Sequence, residues 1–314
     1  VIVANKTTMP DTKTKLGPLV LKNPVMVAAG TFGYGGEKIL RKMPINKLGA
    51  FITKTITLNP RLGNPPPRIA EVTGGIVNSI GLENPGLETF CRNYFPKIRS
   101  IKTIKIVSIG GTDEYEFTQI IKSLNRQKGI DALEVNISCP NVKKGGRCIA
   151  QDPEITRKIT RVIKQNSRYP VIVKLSPNVT SITDIALAAR DGGADILSLI
   201  NTVTAMVVNW KKRCPELGNG TGGLSGPAIK PIALKMVWDV SRAVRIPVIG
   251  IGGIMTADDV MEFLVTGASA VQVGTLNLVT PTDVFGIIDD LPVILKNQNI
   301  KSISSVVGTL RMTY

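Results

Sequence analysis

The feature that most constrains the fold of this chain is a beat repeated eight times: a short, almost wholly apolar run that ends in polar or glycine residues. The runs are PVMVAAG (24–30), AFITKT (50–55), KIVSIGG (105–111), ALEVNIS (132–138), VIVKLS (171–176), ILSLINT (196–202), PVIGIGG (247–253) and AVQVGT (270–275). Each is followed by a segment that reads as helix. EYEFTQIIKSLNRQ (114–127), PEITRKITRVIKQN (153–166), ITDIALAARD (182–191), PIALKMVWDVSRAV (231–244) and ADDVMEFLVTG (257–267) space their apolar residues by three and four, the pattern of amphipathic helices. Asp152 before Pro153, and Thr256 three residues before Asp259, are helix-start signals; Gly267 is a stop. Strands apolar on both faces and alternating with helices require a parallel sheet covered by helices. Eight repeats close most economically as a (βα)8 TIM barrel. A doubly wound sheet is the alternative, but no G-x-G-x-x-G follows the first strand.

A length of 314 residues is normal for one such barrel, so residues 1–314 are read as one domain. Residues 1–23 are read as a hairpin around Gly17-Pro18 or a plug beneath the barrel. Two connections are unusually long: 56–84 after the second strand and 203–226 after the sixth. The first is stiffened by Pro65, Pro66 and Pro67. The second, through Trp210, Cys214 and GNGTGGLSG, is glycine-rich enough to move as a lid. Either can also be an inert excursion or a subunit contact.

The chain has no histidine, so the side chain that most often moves protons near neutral pH is missing. The candidate in its place is Cys139, where the fourth run breaks into Cys139-Pro140-Asn141. A thiol titrates near ~8.5 and becomes a base or nucleophile where its surroundings favour the thiolate. Lys143, Lys144 and Arg147 stand close in sequence. A buried cysteine that merely fills space is the competing reading, and position at a strand end argues against it.

Barrel enzymes carry their chemistry at the C-terminal ends of the strands. Here those ends hold Thr31, Lys54 with Thr55, Ser108, Asn136 with Cys139, Lys174, Asn201 with Thr202, Gly252-Gly253 and Gly274-Thr275. Singly, a lysine there is usually solvated and an asparagine an ordinary turn residue. Together they make a rim. IGIGGI (249–254) and QVGTLN (272–277) leave backbone N–H groups open after the last two strands, the usual phosphate position, so a phosphorylated ligand or cofactor is expected. The rim is poor in carboxylates, which disfavours paired-acid hydrolysis and carboxylate-held magnesium. Lys54 and Lys174 suit negative charge developing on a carbonyl, an enolate or a reduced flavin, or a Schiff base as in aldolases.

Cys91, Cys139, Cys148 and Cys214 follow no C-x-x-C or zinc-ribbon spacing, so no protein metal site is expected. The net charge of +16 raises nucleic acid as a ligand, but the basic clusters are small and scattered and aromatics total only 4%. Anionic small molecules or an acidic partner protein explain the charge as well. With no signal-peptide pattern and no apolar run of about 18 residues, a soluble cytoplasmic protein with reduced thiols and no membrane contact is expected.

NISCPNV (136–142), KTITLNPRLGNPPPR (54–68), NSIGLENPG (78–86), KLSPN (174–178), INT (200–202), TGGLSGPAIKP (221–231) and the two glycine-rich strand ends closely resemble dihydroorotate dehydrogenase, in unbroken order over roughly residues 16–296. The chain is most similar to the cytosolic branch with a cysteine base, the catalytic subunit of the NAD-linked class. The membrane-bound branch uses serine at that position and carries an N-terminal extension that residues 1–23 do not resemble.

The resemblance implies FMN-dependent oxidation of (S)-dihydroorotate to orotate in pyrimidine biosynthesis. Cys139 would take the proton from C5 while hydride leaves C6 for N5 of FMN, with Lys54 beside it in the catalytic set. Lys54, Asn78, Ser79, Ile80, Gly81, Leu82, Asn136, Asn141, Asn201 and Thr202 match substrate positions. Thr31, Lys54, Thr55, Ser108, Asn136, Lys174, Ile200, Gly226, Gly252, Gly253, Gly274 and Thr275 match flavin positions. A homodimer is implied, or a heterotetramer with an electron-transfer subunit carrying FAD and a 2Fe–2S cluster, for which this chain has no cysteine pattern. The chain departs from the family at Ser108, where asparagine is usual, around Cys148, and in the basic KKRCPE (211–216). The rival readings are a dihydropyrimidine dehydrogenase-like flavoprotein, a flavin-free sugar-phosphate aldolase or isomerase, and a basic nucleic-acid-binding protein.

Overall fold

The computed structural model describes residues 9–35, 37, 40–137 and 149–312. Eight strands close into one barrel: β1 (Val25–Val27), β2 (Ala50–Ile52), β3 (Ile104–Gly110), β4 (Ala132–Asn136), β5 (Val171–Lys174), β6 (Ile196–Leu199), β7 (Val248–Ile251) and β8 (Ala270–Val273). They follow one another around the ring in chain order, and every neighbouring pair is parallel. Apart from β3, which is as long as its run, the ladders are shorter than the apolar runs because the last residues of each run leave the sheet for the mouth of the barrel.

Side chains alternate between the two faces of a strand. Outward-facing Val25, Phe51, Val107, Val135, Val173, Leu197 and Val271 belong to the main core beneath the helices. Inward-facing Met26, Ile52, Ile106, Ala132, Ile172, Ile196, Ile249 and Ala270 form a second apolar cluster inside the ring. A hairpin of Thr14–Leu16 and Leu19–Leu21 puts Leu16, Leu19 and Leu21 into that same cluster. It is held in place by the Thr14 hydroxyl, which donates to the Ser269 carbonyl at 2.9 Å.

The covering helices are α1 (Glu114–Leu124), α2 (Pro153–Asn166), α3 (Ile182–Asp191), α4 (Lys230–Ala243), α5 (Ala257–Thr266) and α6 (Asp283–Asn297). Their first turns are capped by side chains where the sequence signals stand. Asp152 accepts from the N–H groups of Glu154 and Ile155, and Thr256 with Asp259 completes a reciprocal capping box. Two of the longer helical segments lie outside the sequence reading. One runs through 86–98 with a π stretch at Phe90–Tyr94, and the other is α6, which carries Pro292 inside it. Conversely, a helix after every strand is not found. Between β1 and β2 the described residues form only the single 3-10 turns Leu40–Lys42 and Ile45–Lys47, with Pro44 breaking the hydrogen-bond run.

The two long connections fold against each other. Ile69–Val72 and Gly75–Asn78 come from the first, Val203–Ala205 and Gly222–Ser225 from the second, and together they form one antiparallel four-stranded sheet. The glycine-rich stretch read as a lid is therefore stitched into this sheet through Gly223 to Asn78, Leu224 to Val77 and Ser225 to Ile76. The basic KKRCPE segment lies in a small hairpin of Val208–Asn209 and Cys214–Pro215, with Trp210 exposed near its tip. Among the described residues, no helix is long and apolar enough to cross a membrane.

Because Leu16 and Leu21 are fully buried under the barrel floor, Leu16→Ala or Leu21→Ala should each cost about 2–5 kcal/mol of unfolding free energy. Urea denaturation followed by circular dichroism measures this. A loss below about 0.5 kcal/mol, typical of exposed positions, would mean the hairpin does not seal the barrel.

Candidate functional site

Parity along the strands decides what faces the inside of the ring, and the inner face changes character from bottom to top. The lower positions are apolar: Met26, Ile106, Ile172 and Ile249 from odd-numbered strands, Ala50, Ala132, Ile196 and Ala270 from even-numbered ones. Two residues further along the even strands stand Ile52, Glu134, Ser198 and Gln272. The last three are fully buried and hydrogen-bonded together. Above them the same parity brings Ala28, Ser108, Lys174 and Ile251, then Lys54, Asn136, Ile200 and Gly274. All eight line a cavity of about 390 Å³ at the C-terminal mouth.

The cavity walls come from the loops above the strands. Ile69, Ile76, Asn78 and Ser225 of the four-stranded sheet form one side, with Ile80, Leu82 and Glu83 from the segment that follows. That segment is held by hydrogen bonds. The Asn84 amide donates to Thr57 Oγ1 at 2.8 Å and to the Leu82 carbonyl at 2.7 Å, and Leu82 adopts the left-handed conformation with φ 54°. Arg68 donates to the Asn64 carbonyl at 2.5 Å and pairs with Glu83 at 2.7 Å. On the opposite side, Asn201 Nδ2 donates to Asn136 Oδ1 at 3.4 Å, and Asn201 Oδ1 accepts from the Thr202 N–H at 2.9 Å.

The far wall is a backbone cradle. The N–H groups of Gly252, Gly253, Gly274 and Thr275 have no hydrogen-bond partner among the described residues, and all four residues line the cavity. Glycine is required where the chains approach closely. A Cβ on Gly226, at φ 108°, would lie 2.7 Å from Gly75 Cα, and one on Gly253 would lie 2.8 Å from the Gly226 carbonyl oxygen. Such a run of open N–H groups suits a phosphate. Lys230 supports the cradle from behind, donating to Asp259 at 2.5 Å and pairing with Glu262 at 2.8 Å, while Asp259 Oδ2 accepts from the N–H groups of Met255 and Thr256 at 2.8 Å.

The charge balance inside favours anions. Among the described residues Lys54 and Lys174 are the cations lining the cavity, and neither makes a side-chain hydrogen bond or ion pair with a described residue. Lys174 is only 7% exposed. A nearly buried ammonium without a partner is costly unless a ligand supplies the acceptor. Among the described residues the acidic one lining the cavity is Glu83, which Arg68 neutralises.

The structure thus brings Thr31, Lys54, Thr55, Asn78, Ile80, Leu82, Ser108, Asn136, Lys174, Ile200, Asn201, Thr202, Gly226, Gly252, Gly253, Gly274 and Thr275 around one cavity. Ser79 and Gly81 are not among its lining residues. Ser79 turns away to accept from Asn64 Nδ2 at 2.8 Å, and Gly81 packs against Asn64. Cys139 and Asn141 lie outside the described residues, as do the basic cluster at 143–147 and Cys148. Ser108, the departure from the family pattern, shares a hydrogen bond with Thr55 at 2.8 Å. Sequence reasoning missed Ala28 and Ile251, although strand parity marks both. It also missed Asn277, whose amide donates to Thr31 Oγ1 at 3.0 Å and so orients a lining hydroxyl.

Residues 12–295 match the family model described as dihydroorotate dehydrogenase. A relative from Desulforudis audaxviator (strain MP104C), named dihydroorotate dehydrogenase B (NAD(+)), catalytic subunit, is 49% identical over 302 residues, covering 96% of this chain and 98% of the relative. Its namesake from Pelobacter propionicus (strain DSM 2379 / NBRC 103807 / OttBd1) is 48% identical over 301 residues, covering 96% and 99%. Among solved structures, that of the dihydroorotate dehydrogenase of Eimeria tenella in complex with ferulenol superposes with a TM-score of 0.79 at 25% identity, covering 97% of this chain and 89% of that one.

Burial by itself pushes the Asp259 carboxyl up, but the Lys230 ammonium and the N–H groups of Met255 and Thr256 outweigh it and hold the carboxyl below its ordinary value. Hydrogen bonds to Asp259 and then Glu262 raise Lys230. A depressed carboxyl contributes stability above its unfolded-state value that disappears as pH falls through the folded one. Asp259→Asn should therefore be less stable than the parent by about 1–3 kcal/mol at neutral pH. The gap should close as pH drops below about 4. Urea melts across this range measure it, and a gap independent of pH would remove the charge pair as its cause.

Proposed function

The chain belongs to the dihydroorotate dehydrogenase family, and from that premise we propose that a single barrel domain holds FMN and dihydroorotate in the cavity at its mouth. The protein oxidises dihydroorotate to orotate in pyrimidine synthesis. The observation that carries the FMN reading is the nearly buried, unpartnered ammonium of Lys174 on the cavity floor, with an open N–H cradle on the adjacent wall. Together these fit a group that joins a phosphate to an electron-accepting ring.

The residues that would hold FMN are Gly252, Gly253, Gly274 and Thr275 at the phosphate, with Thr31, Thr55, Ser108, Asn136, Lys174, Ile200 and Gly226 along the remainder. Ser108 and Thr55, bonded to each other, offer one hydroxyl donor between them where asparagine would offer an amide. FMN supplies the acceptor for the hydride from C6. Lys54, Asn78, Asn136, Asn201 and Thr202 would bind the pyrimidine ring and its carboxylate, with Ile80 and Leu82 beside Asn78 on the cavity wall, Ser79 and Gly81 in the backbone that carries them, and Asn141 completing the set. Lys54 meets the substrate's negative charge, and the Arg68–Glu83 pair spares the carboxylate a repulsive neighbour.

Oxidation removes a proton from C5 and two electrons with the hydrogen at C6, leaving a double bond between them. Without histidine, the group we assign to the C5 proton is the Cys139 thiolate, which becomes a thiol and returns its proton to solvent. Relatives named catalytic subunits imply a partner. We assign this chain to a homodimer that joins an electron-transfer subunit, with FAD and a 2Fe–2S cluster on the latter.

Purified protein loaded with FMN should be yellow and should bleach anaerobically on addition of dihydroorotate. Cys139→Ala should retain FMN while the rate of bleaching falls by about two to four orders of magnitude, the span for losing a base. Stopped-flow absorbance measures it, and an unchanged rate would reassign the proton transfer. Lys54→Ala should weaken substrate binding and slow bleaching together, whereas a change confined to FMN retention would place Lys54 at the cofactor alone.

A further inference from the structure

Glu134 is fully buried inside the barrel, and the reaction assigned above does not use it. Its Oε2 accepts from Ser198 Oγ at 3.1 Å and from Gln272 Nε2 at 2.5 Å. Its Oε1 has no partner, and neither has Gln272 Oε1. Two acceptors shut away from water without a donor are expensive, and an apolar residue at either position would avoid the cost.

A donor without an acceptor stands close by in the ladder, the ammonium of Lys174. Asn136, two residues beyond Glu134 on β4, is the ladder partner of Lys174 on β5. Ser198, the hydrogen-bond donor to Glu134, is the ladder partner of Lys174 on β6. Glu134 therefore lies roughly 7 Å down the strand from the level of Lys174. No direct ion pair joins them. Two orphan acceptors and an ammonium with three donors are what a bridging water needs.

We propose that Glu134 is a positioning residue and buried counter-charge for Lys174. It is coupled to the ammonium through a water held by Glu134 Oε1 and Gln272 Oε1, and so sets the positive field on the cavity floor. The part of this that concerns FMN rests on the function proposed above; the coupling of the two side chains does not. Glu134→Gln isolates the charge. The amide has the same shape, can still accept from Ser198, and can donate to Gln272 Oε1.

The first test uses sulfite, an anion that adds to oxidised flavins and binds more tightly the more positive their surroundings. In the FMN-loaded protein, Glu134→Gln should tighten sulfite binding by about fivefold or more, since Lys174 loses its counter-charge. Loss of packing alone would lower the melting temperature without moving sulfite affinity, so an unchanged affinity overturns the proposal. The second test needs no flavin. Thermal unfolding of the apoprotein is compared for the parent, Glu134→Gln, Lys174→Met and the double variant. Coupling predicts that Lys174→Met, which strands the carboxylate, loses more stability than the double variant, whereas additive losses overturn the proposal. If Glu134→Gln alone does not accumulate, recovery of folded protein in the double variant reads the same coupling, and failure to recover it overturns the proposal. A protein that takes up no FMN removes the proposed function and leaves this second test to decide.

Discussion

Closure of the eight strands is the constraint on which everything else depends. A closed ring has no edge, so each strand must satisfy its backbone on both sides and each residue is committed to an inner or an outer face. A shift of β4 and β5 by one residue would turn Asn136 and Lys174 outward under the helices and bring Val135 and Val173 inward. The alternation that buries Val135 and Val173 beneath the helices is thus also what points Asn136 and Lys174 into the cavity. Packing and function share one register here, and the large apolar area of the outer core enforces both.

Up the axis, the inner face passes from filled to hollow. At the bottom, isoleucines, alanines and the leucines of the hairpin pack without polar groups. At the top, Ala28 and Gly274, side by side at the ends of β1 and β8, carry too little side chain to fill the ring, and both line the cavity. The polar level of Glu134, Ser198 and Gln272 lies between these regions. Polar groups in that position cost stability that an apolar layer would not, so their presence is explained by what stands above them rather than by the fold. At the mouth, the sheet built from both long connections supplies a wall that neither could form alone, because two strands in water are marginal and four against a barrel are not.

Much of this was legible in the sequence because it depends on period and parity. Apolar runs at regular intervals, with lysine, asparagine and glycine at their ends, are enough to place Lys54, Asn136, Lys174 and Gly274 on one rim. What was not legible depends on contacts between distant segments. The pairing of 75–78 with 222–225 leaves no trace in either segment separately, so a stretch stitched into a sheet reads as a loose lid. The helix at 283–297 is obscured by Pro292 inside it, and the π stretch at 90–94 has no periodic signature of its own. Ser79 sits in the same motif as Asn78, yet as its neighbour in extended chain it points to the opposite side, where the Asn64 amide donates to its hydroxyl. Motif membership gives proximity along the chain, and only the backbone path tells which neighbours face the cavity.

The net charge of +16 acts at two levels that should be kept apart. On the surface, pairs such as Lys47 with Asp289 and Lys235 with Asp239 are solvent-exposed, contribute little to stability and are screened by salt. The surplus of cations there gives a long-range attraction that raises encounter rates with any anion and distinguishes poorly among them. Inside the cavity Lys54 and Lys174 are the contributors among the described residues, and in a partly dry site an unpaired ammonium interacts several times more strongly than at the surface. Among the described residues selectivity therefore resides with those two and with the groups that orient them, while the exposed surface charge sets how often an anion arrives.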